Sequence, residues 1–165
     1  TFSMSSFPNL KKPSHFIATL GGVGNAKYAP GTWGSLVSLF LFILASHYFP
    51  NMAGLVIAMT FYSIWLCDKV SAKLTKKDHP AIVIDELAGM WIAAYPAIHY
   101  ATQNERVIFV IAAFILFRFF DILKPFPISY LDKNIKGGLG IVLDYVVAGL
   151  FAAAITIILM TLVFS

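Results

Sequence analysis

The segment FRFFDILKPFPISYLDKNIKGGLGIVLDYVVAG, residues 117–149, joins the end of one long apolar run to the start of another. It carries Arg118, Asp121, Lys124, Asp132, Lys133, Lys136 and Asp144, a Lys-Pro-Phe-Pro turn, and a Gly-Gly-Leu-Gly string that reads as a loop. Arg118, Asp121 and Asp144 fall where oily helices are expected to end or begin. Ionisable groups are costly there and mark candidate functional positions. The segment reads as half of a metal-dependent phosphate site at a membrane surface.

Working outward, apolar runs cover residues 36–49, 52–67, 81–100 and 107–120 upstream, and 146–164 downstream. Residues 1–20 form a mostly polar lead-in, and residues 21–35 a loop with five Gly. The runs exceed the roughly 5–6 residues of an average strand and lack its period-2 alternation. The expected fold is all-α: a small multi-pass membrane protein of about five apolar helices, forming one domain over residues 1–165. Composition agrees. The chain is 59% hydrophobic and 12% charged, against about 45–50% and about 25% in soluble domains. Its net charge of +4 suits anionic headgroups. No basic helix with interleaved aromatics points to nucleic acid. The single Cys67 excludes an intrachain disulfide and a cysteine metal cluster. Residues 1–14 lack the apolar core of a signal peptide. In the last run Ala148/Ala152 and Gly149/Ala153 are small residues four apart, a spacing that suits close helix contact in lipid.

Threading five spans from an inside N-terminus sorts the charges. Eleven of the twelve basic residues fall on one side, and only Arg106 on the other. The excess of basic residues assigns the crowded side, with every Gly-rich and acidic motif, to the cytoplasm.

Asp85 and Glu86 stand together at the start of the third run. Helix N-terminal acids are favoured by the macrodipole, but adjacent carboxylates at a membrane also suit a divalent cation with oxygen ligands. Arg118 and Asp121 are spaced as an i, i+3 ion pair, and Asp144 as a cap or first-turn acid. The convergence of Asp85, Glu86, Asp121 and Asp144 at one depth favours a metal. Arg118, Lys124 and Lys136 can neutralise phosphate oxygens. Thr32 and Ser35 offer hydroxyls in the Gly-rich loop, which lacks the Walker A order. His79 beside Asp78 reads more simply as a surface or cap histidine. No Cys-x5-Arg, Asp-x-Asp-x-Thr or Ser-Gly-His pattern occurs, which removes three common phosphatase schemes.

APGTWGSL at 29–36, DHPAIVIDELAGMW at 78–91, FRFFDILKPFPI at 117–128 and DKNIKGGLGIVLDYVVAG at 132–149 resemble the phosphatidylglycerophosphatase A family. The resemblance covers most of residues 20–153. It implies a bacterial inner-membrane enzyme that removes the terminal phosphate of phosphatidylglycerophosphate, with Mg²⁺, at the cytoplasmic face. It places the family's Asp-Glu pair on Asp85 and Glu86, and its Arg-x-x-Asp-x-x-Lys-Pro on Arg118, Asp121, Lys124 and Pro125. One departure is Asp144-Tyr145, where members of the family often carry two acids. The expected site has Asp85, Glu86, Asp121 and Asp144 as metal ligands and catalytic groups. Arg118 and Lys124 clamp the phosphoryl group, and Thr32, Ser35 and Lys136 bind substrate. Asp78 or a metal-bound water is the acid for the leaving oxygen, and an aspartyl phosphate on Asp121 or Asp144 stays open. The competing readings are a phosphatase of a water-soluble phosphomonoester and a small cation transporter, which would place its acids nearer the membrane midplane.

Overall fold

The computed structural model describes residues 13–18, 30–71, 84–130 and 137–164. The described residues contain helices and no strand. The order is α1 (Pro13–Ala18), α2 (Pro30–Tyr48), α3 (Met52–Ser71), α4 (Ile84–Ala94), a 3₁₀ helix (Tyr95–His99), α5 (Gln103–Leu123) and α6 (Gly137–Val163).

Short α4 is the centre of the bundle, packed by α2, α3, α5 and α6. Ten of its eleven residues are buried. It is short because Pro96 lacks an N–H and cannot extend an α-helical ladder, so the chain tightens into the 3₁₀ turn. The third apolar run is therefore a buried central helix with a 3₁₀ extension, not a single long α-helix.

The crossing of α4 and α6 is the closest in the fold. A Cβ on Gly149 would collide with the backbone of Gly89, and a Cβ on Gly89 would sit 2.7 Å from the Tyr145 carbonyl oxygen. Ala148 and Ala152 are fully buried beside this contact, as the small-residue spacing predicts. Between α2 and α4, the Trp91 indole N–H donates to the Ser38 carbonyl at 2.8 Å.

Three helix boundaries differ from the sequence expectation. Helix α2 begins at Pro30, so the last part of the expected Gly-rich loop is its first turns. Proline is well suited to the first helical position. Helix α5 begins at Gln103 because Thr102 and Glu105 form a capping box. Thr102 Oγ1 accepts from the Glu105 N–H at 3.2 Å, and the Glu105 carboxylate accepts from the Thr102 N–H at 3.3 Å. Helix α6 begins at Gly137, so Gly-Gly-Leu-Gly is helical rather than a loop.

Gly31–Tyr48, Met52–Lys69 and Leu139–Val163 are long and apolar enough to cross a membrane. The flanks of the bundle are apolar too. Phe40 is 72% exposed, Phe61 68% and Leu162 71%, and Ile57, Ile115 and Phe119 are exposed as well. A water-soluble protein rarely leaves so much contiguous apolar surface open. The protein is an all-α membrane protein.

Candidate active site

The site forms where the first turns of α2 and α4, the last turns of α5 and the early part of α6 meet at one end of the bundle. Helix α4 supplies Asp85 and Glu86 in its first turn, where the helix dipole favours negative charge. Helix α2 supplies Gly31 and Ser35, α5 supplies Arg118, Asp121 and Lys124, and α6 supplies Asp144. The four carboxylates are all buried, none more than 7% exposed.

They are held by a chain of polar contacts. The Ser35 hydroxyl donates to Glu86 Oε2 at 2.8 Å. Arg118 Nη1 reaches Glu86 Oε1 at 3.3 Å and also pairs with Asp121. Lys124 Nζ lies 3.5 Å from Asp121 Oδ1 and 2.9 Å from Asp144 Oδ2. Asp85 occupies the same turn as Glu86, and its Oδ1 accepts the Glu86 N–H at 2.8 Å. Two cations thus stand among four buried acids. Arg118 also has a buried Nε–H without a hydrogen-bond partner among the described residues.

Local chemistry explains why Lys124 is where it is. Pro125 disfavours a right-handed helical conformation for the residue before it. Lys124 takes the left-handed region instead, with φ 47° and ψ 61°, and its N–H closes α5 on the Phe120 carbonyl. That conformation costs a non-glycine residue about 1–2 kcal/mol. It brings the lysine head to Asp121, Asp144 and the Tyr145 ring, 5.4 Å away. Tyr145 thus presents an aromatic face beside the lysine.

Asp144 is two turns inside α6, so the helix-cap reading of this residue does not hold. Its Oδ1 accepts the Tyr145 N–H at 2.9 Å. The ion pair between Arg118 and Asp121 is present, but it belongs to a larger network. Thr32 is half-buried in the first turn of α2 and makes no hydrogen bond to the network among the described residues. Asp78 and Lys136 lie outside the described residues.

Gly31 is a site residue that sequence reasoning did not single out. A Cβ there would stand 2.9 Å from Glu86 Oε1 and 3.2 Å from both terminal nitrogens of Arg118. The signal was its place after Pro30, at the start of a helix and four residues before Ser35.

Among the described residues no three of His, Cys, Asp and Glu are grouped so as to hold a metal ion. The acids are spaced by Arg118 and Lys124. This arrangement still fits Mg²⁺, which usually takes one or two carboxylates together with waters and substrate phosphate rather than an all-protein cage. The donor set is oxygen only, as that ion prefers.

Comparison with known proteins agrees with the sequence motifs. A model of the family described as Phosphatidylglycerophosphatase A matches residues 16–160. The chain is similar to a phosphatidylglycerophosphatase A of Haemophilus influenzae, 37% identical over 155 residues, covering 89% of this chain and 88% of the relative. It is 34% identical over 147 residues to a phosphatidylglycerophosphatase A of Escherichia coli K12, covering 88% and 83%. A relative from Bacteroides thetaiotaomicron, provisionally named a phosphatidylinositol-3-phosphatase, is 34% identical over 152 residues, covering 87% and 92%. No solved structure matches the chain. The match to almost the whole chain, at this identity, shows that the protein belongs to the phosphatidylglycerophosphatase A family of enzymes.

Proposed function

We propose that the protein hydrolyses the terminal phosphomonoester of phosphatidylglycerophosphate, releasing phosphatidylglycerol and phosphate, in a Mg²⁺-dependent reaction at the cytoplasmic face of a bacterial inner membrane. The observation that carries this reading is the buried network of four carboxylates with Arg118 and Lys124, set at one end of a bundle whose flanks face lipid. The diacylglycerol part of the substrate stays in the bilayer while its charged phosphate reaches that end.

Arg118 and Lys124 bind the phosphoryl oxygens. Phosphate and carboxylate compete for the same N–H donors, so substrate binding loosens Asp121 from Arg118 and Asp144 from Lys124. The Nε–H of Arg118 adds a donor not engaged by the described residues. Asp85, Glu86, Asp121 and Asp144 are the residues that would hold Mg²⁺. When bound, Mg²⁺ supplies positive charge against the negative charge that builds on the transferring phosphoryl group. Asp78 is the candidate for giving a proton to the leaving glycerol oxygen.

Ser35 acts as a positioning residue rather than a substrate ligand, because its hydroxyl lies 2.8 Å from both Glu86 Oε2 and the Gly31 carbonyl oxygen and is used inside the network. Hydrogen bonds to charged groups contribute about 1.5–3 kcal/mol. Ser35→Ala is therefore expected to lower kcat by about tenfold or more with little change in KM, and Ser35→Thr to restore part of the loss. An equal rise in KM with kcat unchanged would instead make Ser35 a substrate ligand.

The substrate assignment is tested with a panel in mixed micelles. Phosphate release should be at least about 100-fold faster from phosphatidylglycerophosphate than from glycerol 3-phosphate or phosphatidylinositol 3-phosphate, a difference of about 2.7 kcal/mol in the barrier. Preference for the phosphoinositide, the substrate class in the Bacteroides relative's name, would change the substrate while keeping the phosphatase. Preference for glycerol 3-phosphate would favour the water-soluble alternative.

A further inference from the structure

At the end of the bundle opposite the carboxylate network, a half-open cleft of about 130 Å³ lies between α2, the 3₁₀ helix and α5. Phe42, Ile98, Val107 and Val110 give it apolar walls, and His47 and Arg106 stand in its lining. No acidic side chain lines it among the described residues. The nearby Glu105 carboxylate is engaged by the N–H and hydroxyl of Thr102, in the cap of α5. Arg106 is held in place by its own backbone contacts, with Nε donating to the Tyr100 carbonyl at 2.8 Å. Helix α2 separates the two ends. Its 19 residues span about 28 Å, close to the roughly 30 Å of a bilayer's hydrocarbon core.

We propose that this cleft binds one anionic glycerophospholipid from the leaflet opposite the catalytic network. Its phosphate would sit on Arg106 and the upper part of one acyl chain against Phe42, Val107 and Val110. Size argues for a lipid over a soluble ligand. Pockets for small soluble ligands are typically about 300–1,000 Å³, whereas a cavity of this size accommodates about one benzene-sized piece of hydrocarbon. That suits a short stretch of a chain whose remainder stays in the bilayer. Charge argues for an anionic headgroup. Arg106 is the one basic residue that the threading leaves at this face, out of twelve in the chain. It stands at the mouth of an apolar cleft, and arginine is well matched to phosphate. The order of cation then hydrocarbon wall is the order of an amphiphile.

This inference concerns binding alone and does not depend on the catalytic reading. The test is native mass spectrometry of the detergent-purified full chain with phosphatidylserine and phosphatidylcholine of identical acyl chains. Neither lipid carries a phosphomonoester. The wild type is expected to bind phosphatidylserine at least tenfold more tightly. Arg106→Gln should lose most of that preference and Arg106→Lys should keep it, while Val107→Trp, which fills the cleft, should weaken both lipids. Size-exclusion elution and helical circular dichroism report folding in each variant, and Val107→Trp carries the test where Arg106→Gln does not fold. Equal binding of the two lipids by the wild type would overturn the proposal. So would a preference unchanged in Arg106→Gln, a loss in Arg106→Lys as large as in Arg106→Gln, or unchanged binding in a folded Val107→Trp.

Discussion

Arg118→Ala is expected to reduce phosphate release by about 10²–10³-fold or more, the effect of removing one donor to a developing anion. Two losses combine. The variant lacks the guanidinium that binds phosphoryl oxygens, and it leaves Glu86 and Asp121 without their shared cation in a buried setting. Breaking a buried ion pair by deleting one partner costs about 3–5 kcal/mol, so a lower unfolding temperature is expected as well. Arg118→Lys separates the two contributions. It keeps a positive charge for both acids, which Nη1 alone contacts in Arg118, but loses the other guanidinium N–H donors available to phosphate. Its stability is expected to fall by less than that of the alanine variant, while its activity stays at least tenfold below wild type. Activity of Arg118→Lys within twofold of wild type would show that the site needs only a point charge there.

Gly149→Val is expected to prevent the native packing of α4 on α6. The added side chain meets the backbone of Gly89, which cannot turn aside as a side chain does. Overpacking a well-filled core costs about 1–3 kcal/mol, and this contact is at the upper end because backbone must move. In lipid, where packing rather than hydrophobicity holds helices together, no other term offsets the loss. The prediction is read from the melting temperature and the monodisperse yield in detergent. Both should fall sharply for Gly149→Val and detectably for Gly149→Ala, whereas Leu150→Val, on the exposed face of α6, should leave them unchanged. The active site would suffer too, because α4 and α6 carry Asp85, Glu86 and Asp144.

Much of this arrangement was legible in the residues. Long apolar runs without period-2 alternation read as helices, and the sorting of charges grouped Asp85, Glu86, Arg118, Asp121, Lys124 and Asp144 at one end and left Arg106 at the other. The helix starts were not legible for identifiable reasons. Glycine is unfavourable inside a helix by about 1 kcal/mol, so Gly31, Gly34 and the glycines at 137–140 read as loop, yet tertiary packing outweighs that preference here. The start of α5 is readable from Thr102 and Glu105, a Thr-x-x-Glu capping box, whereas apolarity alone marks the helix only from Val107. The interleaving of Arg118 and Lys124 between the acids was out of reach, since it depends on where three helices meet. Spacing alone showed only the local pairs on α5. The role of Gly31 was hidden for the same reason, because the groups it makes room for come from α4 and α5.

In the proposed function, the buried carboxylates and their two cations form a metal-dependent phosphatase site for a membrane lipid. The most direct measurement is phosphate release from phosphatidylglycerophosphate by the detergent-purified chain, with and without Mg²⁺, for the wild type and for Asp85→Asn. Release is expected to require Mg²⁺ in the wild type and to fall by at least about 100-fold in Asp85→Asn, about 2.7 kcal/mol of barrier, with the variant still folded. Release undiminished by chelation of divalent cations, or a folded Asp85→Asn as active as wild type, would contradict it.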